Sequence, residues 1–287
     1  MSGLVPASPI SWPKDKKSAA AFTFDVDAES AILSFKPEAN NQMSVMTHQF
    51  YGPLVGVPRI LNLLEKYQVK STFFVPGFTA RQYPSVIKSI VKAGHEIAHH
   101  GDMHEQPTGA SRDEEIKFIK NGIESLIEIA GVKPIGYRAP MWDLSWNTPE
   151  ILLANDFLYD SSLMDADYPY ELAVQGQSLV ELPIHWGLDD WEQYAFLPDI
   201  TGVGLIESPK KVIEMWQIEF EVIRKIGGLF ILTNHPFLSG RPGRSDALEG
   251  LIKHVTSCSD VWTTSLGDIA SYVRSLKLKP REISKPQ

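Results

Sequence analysis

The chain has 287 residues, of which 43% are hydrophobic and 22% are charged, a balance that is typical of a globular enzyme. The formal net charge is −8 and the sequence contains no block of Lys and Arg, which argues against nucleic acid as a main partner. No stretch approaches the roughly 18 apolar residues that cross a bilayer, and the single cysteine, Cys258, excludes an internal disulfide.

Apolar segments with strand character alternate with amphipathic helical segments along the chain. Strands are predicted at residues 20–26, 70–75, 96–98, 135–138, 179–184, 228–232 and 261–263. Helices are predicted at residues 57–67, 84–93, 112–130, 150–155, 209–225 and 245–254, with a last one after Ser265. Because continuous apolar strands alternate with helices, the strands are expected to be parallel and covered by helices. About seven such units favour a barrel over an open sheet.

Local end signals support several of these helices. Ser111 and Glu114 form a capping box, and Gly131 ends the helix that the box begins. Thr148 is predicted to cap the helix at 150–155, and Ser265 is predicted to cap the last helix.

One domain accounts for this pattern. We predict an N-terminal arm over residues 1–20, a barrel domain over 21–275 and a C-terminal tail over 276–287. The region 164–206 is irregular and rich in Tyr, Trp and Asp, and it is predicted to be a long insertion over the active face. The N-terminus lacks the basic start and the following apolar run that mark a signal peptide, so a cytoplasmic location is expected.

Two aspartates, Asp25 and Asp27, lie two residues apart at the end of the first apolar strand. Alternate residues of a strand share a face, so both carboxylates can point the same way. Two like charges this close repel unless a cation or a proton separates them, and a metal ion would do so. A polar loop after a strand is the alternative explanation of this motif taken alone.

Four of the eight histidines lie within residues 95–104. His100 and His104 are four residues apart, a spacing that predicts two imidazoles on one side of a helical turn. Two imidazoles and a carboxylate make a three-ligand metal site that leaves positions open for water and substrate. His99 lies on the strand face opposite His100 and is interpreted as structural, while the role of His95 stays open.

Two further polar residues follow predicted strands. Arg138 could pair with an aspartate of the site and hold its charge, although a plain surface arginine fits the local sequence equally well. His235 follows the fully apolar segment 228–232. A lone histidine in such a position is more often structural than catalytic.

Large side chains near these clusters could line a pocket. Trp142, Trp186 and Trp191 are usual core residues by type, but three tryptophans near polar clusters could equally be pocket walls. Trp142, Trp191 and Met103 are the candidate substrate contacts. The sequence has no glycine-rich phosphate loop and no G-x-S-x-G motif, which argues against a serine-triad hydrolase.

Taken in order, these motifs resemble those of the polysaccharide deacetylase family (the NodB-homology, carbohydrate esterase 4 group) over about residues 21–272. Asp25-Val26-Asp27 is similar to the two-aspartate motif of the family with one residue inserted, and His100 and His104 match its His-x-x-x-His motif. Arg138-Ala139-Pro140 matches its Arg-x-Pro motif, and His235 matches its last histidine. The resemblance implies an α/β fold with a distorted (β/α)7 barrel in a single domain.

The resemblance also implies roles for these residues. Asp27, His100 and His104 would bind a divalent metal, with zinc expected, and Asp25 would be the general base. Arg138 would orient that base.

On the acid side, the resemblance makes His235 the general acid. A carboxylate at Asp189 or Asp190 would orient its ring, and the sequence leaves open which of the two does so.

The first motif reads Asp-Val-Asp-Ala where the family usually has Asp-Asp-Gly-Pro, which resembles a subgroup that includes a Helicobacter-type peptidoglycan deacetylase, cyclic imide hydrolases and allantoinase-like proteins. Hydrolysis of a non-peptide C–N bond is therefore expected. The missing export signal and the aromatic insertion favour a small cyclic imide or ureide as substrate. Deacetylation of an N-acetylated sugar polymer and a non-catalytic binding module are the alternatives, and the subgroup suggests a homo-oligomer.

Overall fold

The computed structural model describes residues 6–197 and 205–285 of the chain. Its nine strands, numbered in chain order, are β1 (Ser18–Asp25), β2 (Thr72–Val75), β3 (Glu96–His99), β4 (Gly136–Tyr137), β5 (Tyr159–Asp160), β6 (Tyr170–Val174), β7 (Gln177–Glu181), β8 (Leu229–Asn234) and β9 (Val261–Thr263). They form one sheet in the order β6-β7-β5-β4-β3-β2-β1-β8, and β9 pairs with β1. Of the strand pairs in the described part of the chain, β6 with β7 is antiparallel and the others are parallel.

Twelve α-helices accompany these strands in the described residues. They are α1 (Ser30–Leu33), α2 (Met43–Tyr51), α3 (Val57–Lys66), α4 (Gly77–Gln82), α5 (Pro84–Lys92), α6 (Arg112–Ala130), α7 (Thr148–Ala154), α8 (Trp191–Tyr194), α9 (Pro209–Ile226), α10 (Pro236–Ser239), α11 (Pro242–Ser257) and α12 (Leu266–Ser275). Among the helices that the structure describes, none combines the length and the apolar character needed to cross a membrane.

Seven of the parallel strands, β1 to β5, β7 and β8, curl into the distorted (β/α)7 barrel that the resemblance predicted. The barrel closes weakly between β7 and β8. In the described residues, the contact there is an isolated bridge between Asp189 and Thr233 rather than a continuous ladder. Asp189 and Asp190, two residues that the sequence places near the site, lie at this weak seam.

The first strand shows how alternation builds the two sides of the barrel wall. Phe22 and Phe24 point outward and pack in the apolar cluster formed with helices such as α3, α9 and α11. Ala19 and Ala21 belong to the cluster inside the barrel, together with residues of β7, β8 and α12. Small residues on the inward side leave room for the polar side chains at the end of the same strand, since side chains alternate with a period of two.

Most of the predicted elements are confirmed. The capping box of Ser111 and Glu114 is present, Gly131 ends α6 with a φ of 69°, and the Ser265 side chain caps α12. The last predicted strand, 261–263, has the bounds of β9. One capping prediction is wrong: Asn147 is the residue before α7, and Thr148 is already its first residue.

The predicted irregular insertion at 164–206 is wrong in part. Residues 198–204 of that region lie outside the described residues, but the rest contains a hairpin of β6 and β7 and the short helix α8. The hairpin turns at Gln175 and Gly176, which both have positive φ. The strand β5 was also not predicted, because two residues are too short to show a period.

Both ends of the described chain pack on the barrel. The indole Nε1 of Trp12 donates to the carbonyl of Gly227 at 2.9 Å, and the Trp12 ring is buried. At the other end, the Arg281 backbone N–H donates to the carbonyl of Glu171 at 2.7 Å, beside β6. The strand β1 begins at Ser18, inside the predicted N-terminal arm of residues 1–20.

A buried pair of carboxyl groups lies below the active face, where Asp160 of β5 is directly opposite Glu181 of β7. Burial raises the pKa of Asp160 to about 6. Burial and then the charge of Asp160 raise the pKa of Glu181 well above its usual range. The pair therefore holds a proton in the folded state at a pH where the unfolded chain has released it.

We expect the substitution Glu181→Gln to reduce the loss of stability at alkaline pH. A carboxyl group with a raised folded pKa contributes stability at low pH, and that contribution disappears as pH rises from about 4.5 through the folded pKa. The introduced amide keeps a donor towards Asp160 and does not titrate. Thermal melts at pH 5 and pH 8 should show a smaller decrease in Tm for the variant than for the parent.

The matched control is Glu128→Gln, which removes an exposed carboxylate of α6 and should leave the difference in Tm between the two pH values unchanged. A variant at Glu181 with the same Tm difference as the parent would contradict the shared proton.

Candidate metal centre and catalytic site

Polar side chains that the sequence places far apart come together at the carboxyl edge of the barrel. Asp25 is the last residue of β1, His100 follows β3, Arg138 follows β4 and His235 follows β8. These strands are parallel, so their carboxyl ends lie at the same edge, which is where barrel enzymes carry their active sites.

Asp27, His100 and His104 form a group whose candidate ligand atoms all lie within 4.8 Å of one another. The His100 Nε2 is 3.4 Å from the Asp27 Oδ1, and the His104 Nε2 is 3.7 Å from the Asp27 Oδ2. Both Asp27 oxygens are buried and have no hydrogen-bond partner. A buried carboxylate without a donor is costly, and a cation between these three side chains would remove that cost. The group therefore fits a divalent metal, with the nitrogen and oxygen donors that zinc accepts.

A hydrogen bond fixes which nitrogen of His100 faces the centre. The His100 Nδ1 is 2.7 Å from the carbonyl oxygen of Arg138, which can only accept. The proton therefore lies on Nδ1, and the lone pair of Nε2 points towards Asp27. Support of this kind on the second ring nitrogen is the usual way in which a protein orients a metal-binding histidine.

Burial sets the protonation of the three candidate ligands in the metal-free protein. It raises the pKa of Asp27 from 3.8 to about 7. It also lowers the pKa values of His100 and His104 well below 6.5, so both imidazoles are neutral at neutral pH. Since ligands bind a metal in their deprotonated form, Asp27 is the ligand whose proton competes with the metal.

The predicted helical turn between His100 and His104 is wrong. The segment is a loop in which Gly101 has a φ of 76° and His104 a φ of 60°. The Glu105 Oε2 accepts hydrogen bonds from the backbone N–H groups of Asp102 at 2.9 Å and Met103 at 2.8 Å. The two imidazoles meet because the chain folds back sharply between them rather than because of helical spacing.

Left-handed backbone conformations cluster around this centre. Besides His104, positive φ values occur at Ala28, Met141 and Trp142. Such conformations cost on the order of 1–3 kcal/mol each in non-glycine residues and persist where the surrounding structure holds them. The wall of the site therefore consists of backbone whose shape the packed barrel fixes in advance.

Arg138 is a fully buried residue at the centre of the barrel mouth, not a surface arginine. Its Nη1 donates to the Asp25 Oδ1 at 2.8 Å and to the Thr23 Oγ1 at 2.9 Å. Its Nε donates to the Ser161 carbonyl at 3.1 Å, and its guanidinium lies 4.1 Å from the centre of the Phe74 ring. Arg138 thus compensates the charge of Asp25 and fixes the orientation of that carboxylate.

His235 lies on the opposite side of the centre, with its Nε2 3.5 Å from the Asp27 Oδ2. The structure assigns the orienting carboxylate to Asp190, whose Oδ1 is 2.7 Å from the His235 Nδ1 and also accepts the His235 backbone N–H at 2.8 Å. The other oxygen of Asp190 accepts from the backbone and the hydroxyl of Ser239. The Asp189 Oδ1 is farther from the His235 Nδ1, at 3.5 Å.

The electrostatics of His235 suit a proton donor. Burial alone would lower its pKa, but the nearby charges of Asp189, Asp190 and Asp27 outweigh burial and raise the pKa well above 6.5. In the metal-free protein the imidazole is therefore protonated at neutral pH. Its Nδ1–H is held by Asp190, which leaves the Nε2–H directed towards the centre.

A small cavity of about 30 Å³ opens above these residues. It is lined by Asp25, Asp27, His100, His104, Met141, Trp142, Trp186, Asp189, Trp191, Glu192 and His235. Trp142 and Trp186 are stacked with their ring centroids 4.4 Å apart, and Trp191 meets the His235 ring edge-on at 5.2 Å. The cavity therefore has aromatic walls and a floor of ionisable groups.

Two of the three candidate substrate contacts, Trp142 and Trp191, line this cavity, and Met103 is not among its described lining residues. Met141 lines it instead, because the positive φ at that position turns the chain over the cavity. Met141 and Glu192 are lining residues that the sequence did not predict. For Met141 the nearest signal was the Arg-Ala-Pro-Met-Trp segment. For Glu192 we find no signal in the sequence.

The other histidines of the 95–104 segment face away from the centre. The His99 ring is buried, its Nδ1 accepts the Gly101 N–H at 3.2 Å, and its Nε2 donates to the Ile119 carbonyl at 3.0 Å. His95 lies at the other end of β3, where its Nδ1 accepts the Ser71 N–H at 3.2 Å. Both rings have structural contacts.

Comparison with known proteins agrees with this fold. The family model for polysaccharide deacetylase matches residues 40–158. A peptidoglycan deacetylase of Helicobacter pylori is 31% identical over 294 residues, covering 93% of this chain and 99% of the relative. A peptidoglycan deacetylase-like protein of Gibberella zeae is 26% identical, covering 85% of this chain and 83% of the relative.

Solved structures give the same result. A candidate polysaccharide deacetylase from Mycobacterium smegmatis superimposes with a TM-score of 0.98 at 56% identity, covering 99% of this chain and 100% of that one. PuuE allantoinase superimposes with a TM-score of 0.81 at 24% identity, covering 93% of this chain and 94% of that one, which shows a shared fold. The barrel with polar side chains at its strand ends is therefore of the polysaccharide deacetylase type. The chain belongs to the polysaccharide deacetylase family.

We expect the substitution Asp27→Asn to lower the affinity for zinc by more than about 100-fold, beyond the 10–100-fold typical for residues that only support a ligand. The amide keeps the size of the side chain but loses the charge that faces the two imidazoles. Isothermal titration of the metal-free protein measures the change. Asp246→Asn, an exposed change on α11, is the control, and equal affinities of the two variants would contradict the assignment.

The affinity for zinc should also depend on pH through Asp27. Below pH 7 the metal must displace the proton of this carboxyl group, whose pKa burial raises to about 7. The apparent affinity should rise by about tenfold per unit between pH 5.5 and 6.5 and then level off. Competition with a chelator of known pH dependence measures this slope, and a flat profile would contradict the prediction.

Proposed function

We propose that this protein is a metal-dependent hydrolase that opens a small cyclic amide, an imide or a ureide ring, with zinc as its metal. The observation that carries the proposal is the narrow cavity that lies over Asp27, His100 and His104 and has Trp142 and Trp191 in its walls. The free volume of the cavity is small, about 30 Å³, which argues against a bulky polymer unit inside it. Flat aromatic walls suit a small planar ring better than a polymer chain.

Asp27, His100 and His104 would hold the metal. When bound, a divalent metal lowers the pKa of water and polarises a carbonyl group, and this is the chemistry that the centre would supply.

Asp25 is the group that accepts a proton from the attacking water. Its Oδ1 is held by Arg138 at 2.8 Å, and its Oδ2 faces the centre, 3.9 Å from the His100 Nε2. Because one oxygen is fixed by the guanidinium, the other keeps a constant direction towards the water. Proton removal by a positioned side chain contributes typically 10²–10⁴-fold to a rate.

His235 delivers the second proton. As the C–O bond forms and the C–N bond breaks, the leaving nitrogen takes a proton from the His235 Nε2. Asp190 holds the other ring nitrogen at 2.7 Å and stabilises the imidazolium. The water has then given one proton to Asp25 and its oxygen to the carbonyl carbon, and the product is an open-chain acid with an amide or urea nitrogen.

A second candidate function is removal of acetate from an N-acetylated sugar. The observation that favours it is the 31% identity to the peptidoglycan deacetylase of Helicobacter pylori. The same acid and base would serve both reactions, since each breaks an amide C–N bond. The two candidates differ in the size of the substrate that must reach the cavity.

The decisive experiment is hydrolysis of succinimide and hydantoin by the zinc-loaded protein, with and without a chelator, followed by NMR. We expect ring opening that the chelator abolishes and that His235→Ala lowers by about 10²–10⁴-fold, because the leaving nitrogen loses its proton donor. His254→Ala, which changes a histidine of α11 outside the cavity, is the control and should retain activity.

Release of acetate from N-acetylglucosamine oligomers is measured in parallel. Acetate release without any ring opening, at full metal occupancy, would contradict the ring-opening function and support deacetylation of an N-acetylated sugar.

A further inference from the structure

A second group of metal-ligating side chains lies on the outside of the barrel, where α9 and α11 pack against each other. Glu221 of α9, His254 of α11 and Cys258 bring a carboxylate oxygen, an imidazole nitrogen and a thiol within 4.8 Å of one another. None of the three is among the described residues that line the catalytic cavity. The group is therefore separate from the catalytic centre.

Two of the three side chains come from the same end of α11. His254 lies in the last turn of the helix, and Cys258 is the residue that directly follows the helix, four positions further on. The Cys258 Sγ donates to the carbonyl oxygen of His254 at 3.5 Å. The thiol is thus held against the last turn of α11, within reach of the His254 ring. Residues at this spacing on a helix share one face, which is the arrangement that a shared metal ion needs.

The neighbouring helix fixes the direction of the His254 ring. The His254 Nε2 is 2.7 Å from the Oε1 of Glu221, and the ring meets the buried ring of Phe220 edge-on at 5.7 Å. Adjacent residues of α9 therefore supply both the wall behind the imidazole and the carboxylate in front of it. The nitrogen that would bind a metal already points towards a second ligand.

The carboxylate of Glu221 keeps one oxygen for this purpose. Its Oε2 accepts from the Arg224 Nη1 at 3.3 Å, whereas its Oε1 faces His254. The same guanidinium is held more closely by Asp260, whose Oδ1 lies 2.9 Å from the Arg224 Nε and 2.8 Å from its Nη2. Asp260 thereby compensates the positive charge that would otherwise oppose a cation beside Glu221.

The distances fit a tetrahedral ion after small side-chain movements. Zinc bonds of about 2.0–2.3 Å place tetrahedral ligand atoms about 3.3–3.6 Å apart. The contact of 2.7 Å between His254 and Glu221 is shorter than this range, and the limit of 4.8 Å on the whole group is longer. The side chains of Glu221 and His254 are 46% and 39% exposed, so both can rotate and a fourth position stays open to water.

We propose that Glu221, His254 and Cys258 bind a second divalent cation of the zinc class, with water as the fourth ligand. A thiolate and an imidazole favour zinc, cobalt or cadmium, whereas magnesium and calcium prefer oxygen ligands. Binding releases the proton of the thiol. The ion joins α9 to the end of α11 and so stabilises the outer layer of the barrel, and this inference does not depend on the proposed ring-opening function.

The test uses the fact that Cys258 is the single cysteine of the chain. A charge-transfer band from thiolate to metal can therefore arise only at this group. Cobalt is titrated into protein that already carries one equivalent of zinc, and the near-ultraviolet absorption is recorded. A phosphine reductant keeps the thiol reduced without supplying sulfur.

We expect a sulfur-to-cobalt band that saturates at one equivalent of cobalt per chain. Added zinc should abolish the band, because zinc binds such ligands more tightly than cobalt does. Magnesium at the same concentration should leave it unchanged. An ordinary surface ion pair between His254 and Glu221 beside a free thiol, which is the alternative explanation, predicts no band.

Substitutions separate the three ligands. Cys258→Ser should abolish the band, and Glu221→Gln and His254→Ala should each weaken cobalt binding by at least about tenfold, the lower end of the loss seen when even a supporting residue is removed. The matched control is Glu214→Gln, which removes an exposed carboxylate two turns earlier on α9 and should leave the titration unchanged.

Thermal melts give an independent measurement, since an ion that binds only the folded state raises Tm. Raising zinc from one to several equivalents should raise the Tm of the parent and of Glu214→Gln, but not that of Cys258→Ser. Cobalt binding without a sulfur band would overturn the inference. A band that Glu221→Gln and His254→Ala leave unchanged, or a zinc-dependent rise in Tm that Cys258→Ser retains, would do the same.

Discussion

Two aspartate side chains buried side by side at the mouth of the barrel are the constraint on which the rest of the site depends. Arg138 compensates the charge of Asp25 through a direct hydrogen bond, and no equivalent donor reaches the oxygens of Asp27 in the described structure. Burial therefore makes Asp27 a weak acid in the absence of metal and a strong ligand in its presence. The same burial keeps the facing imidazoles neutral and ready to bind.

The base and the acid are set by different parts of the barrel. Asp25 and Arg138 come from continuous, well-paired strands, whereas Asp190, the partner of His235, comes from the weak seam between β7 and β8. Its backbone N–H donates to the Thr233 carbonyl at 3.1 Å, so the segment that crosses the seam is fixed to the end of β8. Incomplete closure of the barrel thereby makes room for the acid side of the site.

Sequence patterns predicted most of the fold, because long apolar strands and capped helices have clear local signals. They failed where the signal is short or the backbone is unusual. The two-residue strand β5 shows no period, and the hairpin of β6 and β7 lies in a region whose aromatic composition resembles a loop. His100 and His104 lie close together, as their spacing predicted. The predicted reason was wrong, because a sharp loop and not a helical turn joins them.

The sequence by itself determined the strand-and-helix alternation, the acidic balance of the chain and the motifs that resemble one family. These properties depend on neighbours in the chain, so local patterns carry them. Tertiary structure alone decided that Arg138 is fully buried, that Asp190 rather than Asp189 holds the His235 ring, and that Met141 rather than Met103 lines the cavity. Each of these features depends on a contact between segments that follow different strands, or on a residue with a left-handed backbone conformation. Spacing along the chain predicts neither kind of feature.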